Sequence, residues 1–321
     1  MLNPVFFLSW VFLVVGGLLA IASDSYFMSW VGLELNTMGF MGVISVRDGL
    51  SPVVKIKYFI VQCLSSGMFL VSVLSLKTMD VYCYEFFVPV LVALGQLGLA
   101  FKAGLFPMHS WVPSTVLVSD WFTVWMVLGV QKFVPFMVLG VWVESSLVMV
   151  FIVGSSLVGS VGGLSQNFYR GLLAYSSIVH GAWLVLSALE SVSLFVVYYL
   201  GYLFQLSFVT VAGWVGGLEG PGKGMGSLLG GLGMLSLSGL PPFGGFFFKV
   251  LIVMSVIKKS VLVFPILGSV LAAKFYLGAS VSMLLSAWSF WDLRLKSVCW
   301  VFVMFNILVF VFFGHFFYNI L

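Results

Sequence analysis

The stretch SLSGLPPFGGFFFKV, residues 236–250, places a proline pair, three glycines and a lysine among leucines and phenylalanines. Adjacent prolines interrupt an α-helix because they lack the backbone N–H donor and clash with the preceding turn. A lysine is costly in apolar surroundings unless it serves a purpose there. The stretch therefore predicts a break within an otherwise apolar helix, with a lysine close to the break.

The whole chain is as apolar as this stretch. Of its 321 residues, 62% are hydrophobic and 7% are charged, whereas soluble domains carry about 25% charged residues. The mean hydropathy is +1.19. These values exclude a water-soluble surface and predict a polytopic membrane protein. Because no segment alternates with the period of two that marks a membrane β-barrel, the spans are predicted to be helices.

Charged residues divide the chain into apolar windows, each long enough to cross a bilayer as a helix. A span needs about 20 apolar residues to cross about 30 Å of hydrocarbon. We therefore predict an all-α polytopic membrane protein with about eleven transmembrane helices. The windows are 1–23, 25–46, 58–76, 86–119, 121–143, 145–169, 171–189, 191–218, 224–257, 260–291 and 297–321.

Two windows, 86–119 and 224–257, have 34 residues each, which is about 50 Å as one straight helix. Each contains a glycine and proline cluster, near 102–113 and 238–245, so each is predicted to be one span built from two half-helices. These windows are fourth and ninth in order, and the odd offset of five predicts inverted five-helix repeats, an arrangement typical of transport proteins. The prediction is a single membrane domain, 1–321, with a first repeat at about 1–143, a second at about 145–291 and a final helix at about 297–321.

The distribution of basic loop residues predicts the orientation. With eleven spans, the side that holds the N-terminus receives seven lysines and arginines, and the other side receives three. Because basic residues favour the cytoplasmic or matrix side, the N-terminus is predicted to lie there.

A few ionisable residues fall inside the predicted spans. Glu34 and Lys132 lie near window midpoints, and Lys102 and Lys249 lie beside the predicted breaks. Such residues cost about 2.5–3.5 kcal/mol at the centre of a span and usually mark ion or proton pathways. Burial disfavours the charged form of a lysine and a nearby carboxylate favours it, so a buried lysine can exchange a proton near neutral pH. We predict proton transfer through these four residues, with Glu34 as the partner of Lys102.

Three other residues are open to two interpretations. His109 lies in the first break, His180 lies mid-span, and Lys274 lies within the tenth window. Each is a possible proton relay, but a lone histidine is as often hydrogen-bonded structurally, and the 32-residue window that contains Lys274 could begin or end in a loop. Of the four residues above, Lys249 has an alternative as well, since a lone lysine on a tilted helix can extend to the membrane surface.

The sequence contains no sign of a bound cofactor. Cys63, Cys83 and Cys299 are too widely spaced for a disulfide framework, zinc site or iron–sulfur cluster, and no nucleotide-binding or metal-binding motif is present. We predict no cofactor, no metal and no nucleic acid bound by this chain.

Six segments, in order along the chain, resemble the subunit 2 family of NADH dehydrogenase, the mitochondrially encoded antiporter-like subunits of respiratory complex I. The resemblance runs from about residue 26 to residue 277. The segments are SWVGLELNTMGF (29–40), KYFIVQCLSS (57–66), LAFKAGLFPMHSWVP (99–113), VQKFVPF (130–136), GGLSQNFYRGLLAYSSIVHGAW (162–183) and LSLSGLPPFGGFFFK (235–249).

The resemblance implies a role for each predicted site residue. Glu34 and Lys102 match the family's interacting glutamate and lysine, Lys132 matches its central-axis lysine, and Lys249 matches the lysine that follows the second break. The family usually has an arginine where this chain has Gly278, and Lys274 stands one turn earlier. That difference makes a surface or lipid contact an alternative for Lys274.

The resemblance also implies a function: a proton-translocating membrane-arm subunit that couples electron transfer from NADH to ubiquinone to proton pumping. The chain would be part of a translocase without performing redox chemistry, and NADH, FMN, iron–sulfur clusters and ubiquinone are expected elsewhere in the complex. Expected partners are other membrane-arm subunits, lipids, protons and water, in the mitochondrial inner membrane with the N-terminus on the matrix side. A stand-alone cation/proton antiporter and a non-pumping scaffold subunit remain alternatives.

Overall fold

The structure, a computed structural model, describes residues 4–46, 52–78, 84–141, 147–216, 225–241, 243–256, 259–287, 300–309 and 311. Within these residues the regular secondary structure is helical, with no β-strand. The predicted all-α class is therefore confirmed.

The helices are α1 (Pro4–Ala22), α2 (Tyr26–Ser45), α3 (Pro52–Thr78), α4 (Tyr84–Ala103), α5 (Trp111–Val116), α6 (Trp121–Trp125), α7 (Gln131–Val141), α8 (Leu147–Leu164), α9 (Tyr169–Glu190), α10 (Val192–Gly216), α11 (Met225–Ser238), α12 (Gly244–Ser255), α13 (Val263–Ala287) and α14 (Trp300–Val309). A π-helical turn, Met126–Val130, joins α6 to α7, and a 3₁₀ turn, Lys259–Leu262, precedes α13.

Seven helices in the described part of the chain are long and apolar enough to cross a membrane. They are α1, α3, the continuous helix from α6 to α7, α8, α9, α10, and α13 with its preceding turn. Four shorter apolar helices lie at Phe87–Ala103, Gly226–Ser238, Gly244–Ser255 and Trp300–Val309. The multi-pass helical architecture is confirmed, whereas the count of about eleven spans stays a prediction.

The helix is interrupted inside both long windows. Residues 104–110 separate α4 from α5, and residues 239–243 separate α11 from α12. Each interruption begins with a glycine, Gly104 or Gly239, at φ +74°. A left-handed residue just after a helix is a common way to end it, and glycine adopts this conformation without steric cost. The inverted relation between the two halves and the boundaries of the repeats stay predictions.

Helix α9 lies at the centre of the bundle. In its most apolar segment 83% of the residues are buried, against 28% for α1 at the periphery. It packs against α5, α7, α8, α10, α12 and α13. Side chains on α9 therefore reach both of the interrupted helices.

The pair α1 and α2 packs unusually closely because glycines face each other across it. A Cβ on Gly16 would meet the backbone of Asn36 and would lie 2.8 Å from the carbonyl oxygen of Gly32. Small residues in such positions let membrane helices approach at backbone distance. The Asn36 Nδ2 group donates a hydrogen bond to the Leu13 carbonyl oxygen at 2.8 Å. These contacts fix the helix that carries Glu34.

We expect Gly16→Ala to lower the melting temperature of the purified full-length chain, because the added methyl group meets backbone atoms that have no room to move. Overpacking of this kind costs about 1–3 kcal/mol. Gly67→Ala is the matched control, since a Cβ at Gly67 would meet nothing within 4 Å. Thermal unfolding followed by circular dichroism in detergent measures both variants, and equal melting temperatures would contradict the proposed close approach.

Candidate functional site

The first part of the site joins α2 to the end of α4. The Lys102 Nζ atom lies 4.0 Å from the Glu34 Oε1 atom, and the two side chains are 4% and 22% exposed. Neither of these two atoms has a hydrogen-bond partner in the described structure. A separation of 4.0 Å is an ion-pair contact but is too long for a direct hydrogen bond. A small movement of either helix would therefore bring the two atoms within hydrogen-bond distance or separate them further.

The position of Lys102 in its helix also favours a cation. It is the second-last residue of α4, where the backbone carbonyl groups at the end of the helix carry partial negative charge. The helix ends there because Gly104 turns the chain, and the Leu105 N–H donates back to the Ala100 carbonyl oxygen at 2.9 Å. The break thus places a buried ammonium group beside a helix C-terminus.

The second lysine binds the central helix. Lys132 on α7 is 2% exposed, and its Nζ atom donates to the Ser177 Oγ atom at 3.0 Å and to the Ser177 carbonyl oxygen at 3.3 Å. Both acceptors are neutral. A charged lysine held by neutral groups is costly to bury, so these contacts suit a group that gains and loses its proton.

A π-helical turn precedes Lys132 directly. The Tyr199 hydroxyl group donates to the Gly129 carbonyl oxygen at 2.8 Å, and the Tyr202 hydroxyl group donates to the Leu128 carbonyl oxygen at 3.2 Å. Both tyrosines lie on α10 and are buried. A π turn carries one extra residue and so rotates the following helix by about 100° relative to a regular helix. The two hydroxyl groups stabilise the turn that directs Lys132 toward α9.

The third lysine extends back to the second break. Lys249 on α12 donates from Nζ to the Ser238 carbonyl oxygen, the last of α11, at 2.8 Å. A Cβ on Gly239 would lie 2.7 Å from the same Nζ atom. Glycine is therefore favoured at 239 by its backbone angle, and a side chain there would displace the lysine amine from its present position. The lysine satisfies a carbonyl group that the break leaves without a helical partner.

His180 lies between the second and third lysines. Its Nδ1 atom is 2.8 Å from the Tyr198 hydroxyl oxygen, its side chain is buried, and it lies within electrostatic range of both Lys132 and Lys249. It follows Ser177 by three residues, so both side chains lie on the same face of α9. The structure thus brings His180 into the group of predicted site residues.

The structure does not bring His109 or Lys274 into this group. The His109 ring is half-buried, its Nδ1 atom lies 3.1 Å from the Pro107 carbonyl oxygen, and it stacks on Phe106, all within the first break. Lys274 on α13 is exposed and lines a cavity at the surface of the protein. Neither residue contacts Lys102, Lys132 or Lys249 through a described hydrogen bond.

The helices that carry the site residues are contiguous. Helix α7 packs against α2, α4 and α9, and α9 packs against α12. Glu34, Lys102, Lys132, His180 and Lys249 therefore lie on a continuous series of packed helices, and we name these five residues the charged row. The two breaks lie at the first and last lysines of the row.

Sequence reasoning missed Asn306, on the last helix. Its Oδ1 atom accepts a hydrogen bond from the Gly244 N–H group at 2.7 Å, and it is 8% exposed. Asn306 thereby caps the N-terminus of α12 from a helix outside the two predicted repeats. An asparagine inside an apolar window was the available signal, but its partner is 62 residues away and no local pattern identifies it.

The described residues contain no group of three or more histidine, cysteine or acidic side chains that could hold a metal ion. Cys63 has a free thiol, and Cys83 and Cys299 lie outside the described residues.

A family model and a related protein both match this chain, and they indicate the same family. The family described as NADH:quinone oxidoreductase/Mrp antiporter, TM, matches residues 23–218. The NADH-ubiquinone oxidoreductase chain 2 of Mytilus edulis is 34% identical over 275 residues, which cover 86% of this chain and 85% of the relative.

Solved structures share the fold. A chain of respiratory complex I from Thermus thermophilus with bound aureothin superposes with a TM-score of 0.74 at 25% identity, covering 88% of this chain and 71% of that chain. A chain of the membrane-bound sulfane sulfur reductase, an archaeal respiratory membrane complex, superposes with a TM-score of 0.80 at 19% identity, covering 96% and 73%. The second likeness shows the fold alone.

We expect Tyr199→Phe to destabilise the full-length chain, because it leaves the buried Gly129 carbonyl oxygen of the π turn without its hydrogen bond. Loss of such a bond costs about 1–3 kcal/mol. Tyr175→Phe on α9 is the control, because no hydrogen bond of the Tyr175 hydroxyl group is described and the chemical change is the same. Thermal unfolding in detergent gives the melting temperature of each variant. An equal decrease for the two substitutions would show that the Tyr199 hydroxyl group does not stabilise the π turn.

Proposed function

The chain belongs to the NADH:quinone oxidoreductase/Mrp antiporter membrane family, and on that premise we propose that it is a proton-translocating subunit of the membrane arm of respiratory complex I. The observation that carries the proposal is the charged row, in which one carboxylate and three lysines occupy the interior of an apolar bundle. The similarity to NADH-ubiquinone oxidoreductase chain 2 over most of both chains favours this function over a stand-alone antiporter.

Proton uptake or release at Lys102 is controlled by Glu34 in this proposal. When the carboxylate approaches, the ammonium form of Lys102 is stabilised; when the carboxylate withdraws, the lysine is left buried without a counter-charge and loses its proton. The 4.0 Å separation lies between a formed and a broken hydrogen bond. Movement of α2 relative to α4 therefore changes the protonation of Lys102.

The proton then passes along α9. Ser177 and His180 offer a hydroxyl group and an imidazole between Lys132 and Lys249. Histidine suits this position because its two ring nitrogens can accept and donate a proton in turn. Lys249, bonded to the Ser238 carbonyl oxygen, passes the proton toward its exit or toward a neighbouring subunit.

Electron transfer supplies the energy elsewhere in the complex. We propose that NADH, FMN, iron–sulfur clusters and ubiquinone are bound by other subunits, and that this chain responds through the electrostatics of the charged row. The proposed partners are the other membrane-arm subunits, in line with the multisubunit complexes that share the fold. The proposed location is the mitochondrial inner membrane, with the N-terminus on the matrix side.

We expect Lys132→Met, made at the matching position of a complex I from a genetically tractable bacterium, to lower NADH-driven proton pumping about tenfold or more. Positioned proton-transfer groups contribute about 10²–10⁴-fold to a rate, and methionine keeps the volume without a proton to exchange. The measurements are proton pumping in inverted vesicles and the ratio of protons to electrons. Lys77→Met, at an exposed lysine at the end of α3, is the control. An unchanged rate and ratio in an assembled complex would favour the scaffold alternative.

Lys249→Arg tests whether the third lysine must lose its proton. Arginine keeps the positive charge and can still donate to the Ser238 carbonyl oxygen, but a guanidinium group essentially never deprotonates. We therefore expect the complex to assemble normally and to pump poorly in the same vesicle assay, while Lys77→Arg has no effect. Wild-type turnover in Lys249→Arg would refute a titrating role for this residue.

A further inference from the structure

A cavity separate from the charged row opens at the surface between the start of α9 and the middle of α13. Its volume is about 830 Å³, which is large enough for a sizeable ligand. Its walls include the exposed Lys274, together with Arg170, Trp121, Tyr169 and Ser282. None of the residues that line it is acidic.

Lys274 is an unusual residue in its helix. It lies midway along a 27-residue apolar segment, Ser260–Ser286, that is long enough to cross a membrane, and its side chain is exposed to the surroundings of the bundle. Within the described residues Lys274 has no hydrogen bond or ion pair. An ammonium group at this depth is unfavourable in hydrocarbon unless an anion or water compensates it.

Arg170 supplies a second, fixed cation in the same cavity. Its guanidinium group donates to the Ser119 carbonyl oxygen and lies 5.6 Å from the centre of the Trp121 ring. These contacts hold the positive charge in place before any ligand arrives. The neighbouring Asp120 does not line the cavity, and its carboxylate accepts a hydrogen bond from the Thr123 hydroxyl group at 2.5 Å. Asp120 and Arg170 each take part in a further interaction besides these, so Lys274 is the cation in the cavity without a protein partner in the described structure.

The remaining walls suit the boundary between hydrocarbon and water. Trp121 and Tyr169 are the amphipathic aromatic residues that concentrate at membrane interfaces. The Tyr169 hydroxyl oxygen is 3.0 Å from the Ser282 Oγ atom, and this pair joins α9 to α13 beside the cavity. Apolar ring surfaces and two cations therefore share one opening.

We propose that this cavity binds the phosphate headgroup of an anionic phospholipid, held by Lys274 and Arg170. Basic pockets between membrane helices on the cytoplasmic or matrix side commonly bind such headgroups, and the loop before Arg170 is predicted to lie on that side. A lipid is favoured over a free phosphate ion because the exposed side of α13 around Lys274 is apolar, with Val270, Leu271 and Leu277 all at least 41% exposed. Those side chains offer a surface for acyl chains next to the headgroup.

Native mass spectrometry of the full-length chain tests the proposal. The chain is purified in mixed micelles with equal amounts of phosphatidylcholine and phosphatidylglycerol, and the retained lipids are counted. We expect the wild type to retain phosphatidylglycerol in preference to phosphatidylcholine. The amount of phosphatidylglycerol retained should fall roughly fivefold in Lys274→Gln, the factor typical of one basic residue near an anionic surface. Lys274→Arg should restore it, and Lys57→Gln, at an exposed lysine on α3, should behave as the wild type.

Two results would overturn the proposal. Equal retention of phosphatidylglycerol by the wild type and Lys274→Gln means that the cavity does not select an anionic lipid. Complete displacement of the lipid by inorganic phosphate means that the site recognises a small anion. Because Lys274 is exposed and unpartnered in the described structure, its substitution should not unfold the chain, and circular dichroism of each variant checks this. The proton path is left intact in all four proteins, so the outcome is independent of the proposed pumping.

Discussion

A backbone amide cannot remain without a hydrogen-bond partner in hydrocarbon, and this constraint governs where the functional groups of the chain lie. Each helix interruption frees carbonyl and N–H groups that must be satisfied inside the bundle. The second break shows how: Lys249 binds a carbonyl group at the end of α11, and Asn306 binds an N–H group at the start of α12. The same polar groups that make a break tolerable also make a charge tolerable, so the breaks and the charged row coincide.

The three lysines of the charged row differ in the groups that stabilise their positive charge. Lys102 has a carboxylate at 4.0 Å, whereas Lys132 and Lys249 have only neutral oxygen acceptors among their hydrogen bonds. In the proposed function, the charge of Glu34 controls the proton on the first lysine, whereas the proton on each of the other two depends on neutral hydrogen-bond acceptors. The three lysines therefore differ in environment along one series of packed helices.

Much of this arrangement could be predicted from the sequence because it is governed by local rules. Glycine and proline clusters identified the interruptions, and the rarity of charges within apolar windows identified Glu34, Lys102, Lys132 and Lys249. The π turn, its two tyrosines and Asn306 could not be predicted in the same way. Their hydrogen bonds join helices that are 60 to 75 residues apart in sequence and therefore depend on packing that no short pattern reveals. Lys274 differs from these residues, because the sequence did identify it as a charge within a span. Only the structure shows that its side chain is exposed and therefore lies outside the charged row.

The π turn at Met126–Val130 has a consequence for how this gene can change. Two tyrosine hydroxyl groups of α10 stabilise the widened turn, and deletion of one residue would let the segment relax to a regular helix. Every side chain beyond it, including Lys132, would then rotate by about 100° away from α9. A change of length by a single codon in this segment would therefore redirect the side chains that follow it. Deletion of one codon within the turn preserves the reading frame but turns the Lys132 side chain away from Ser177.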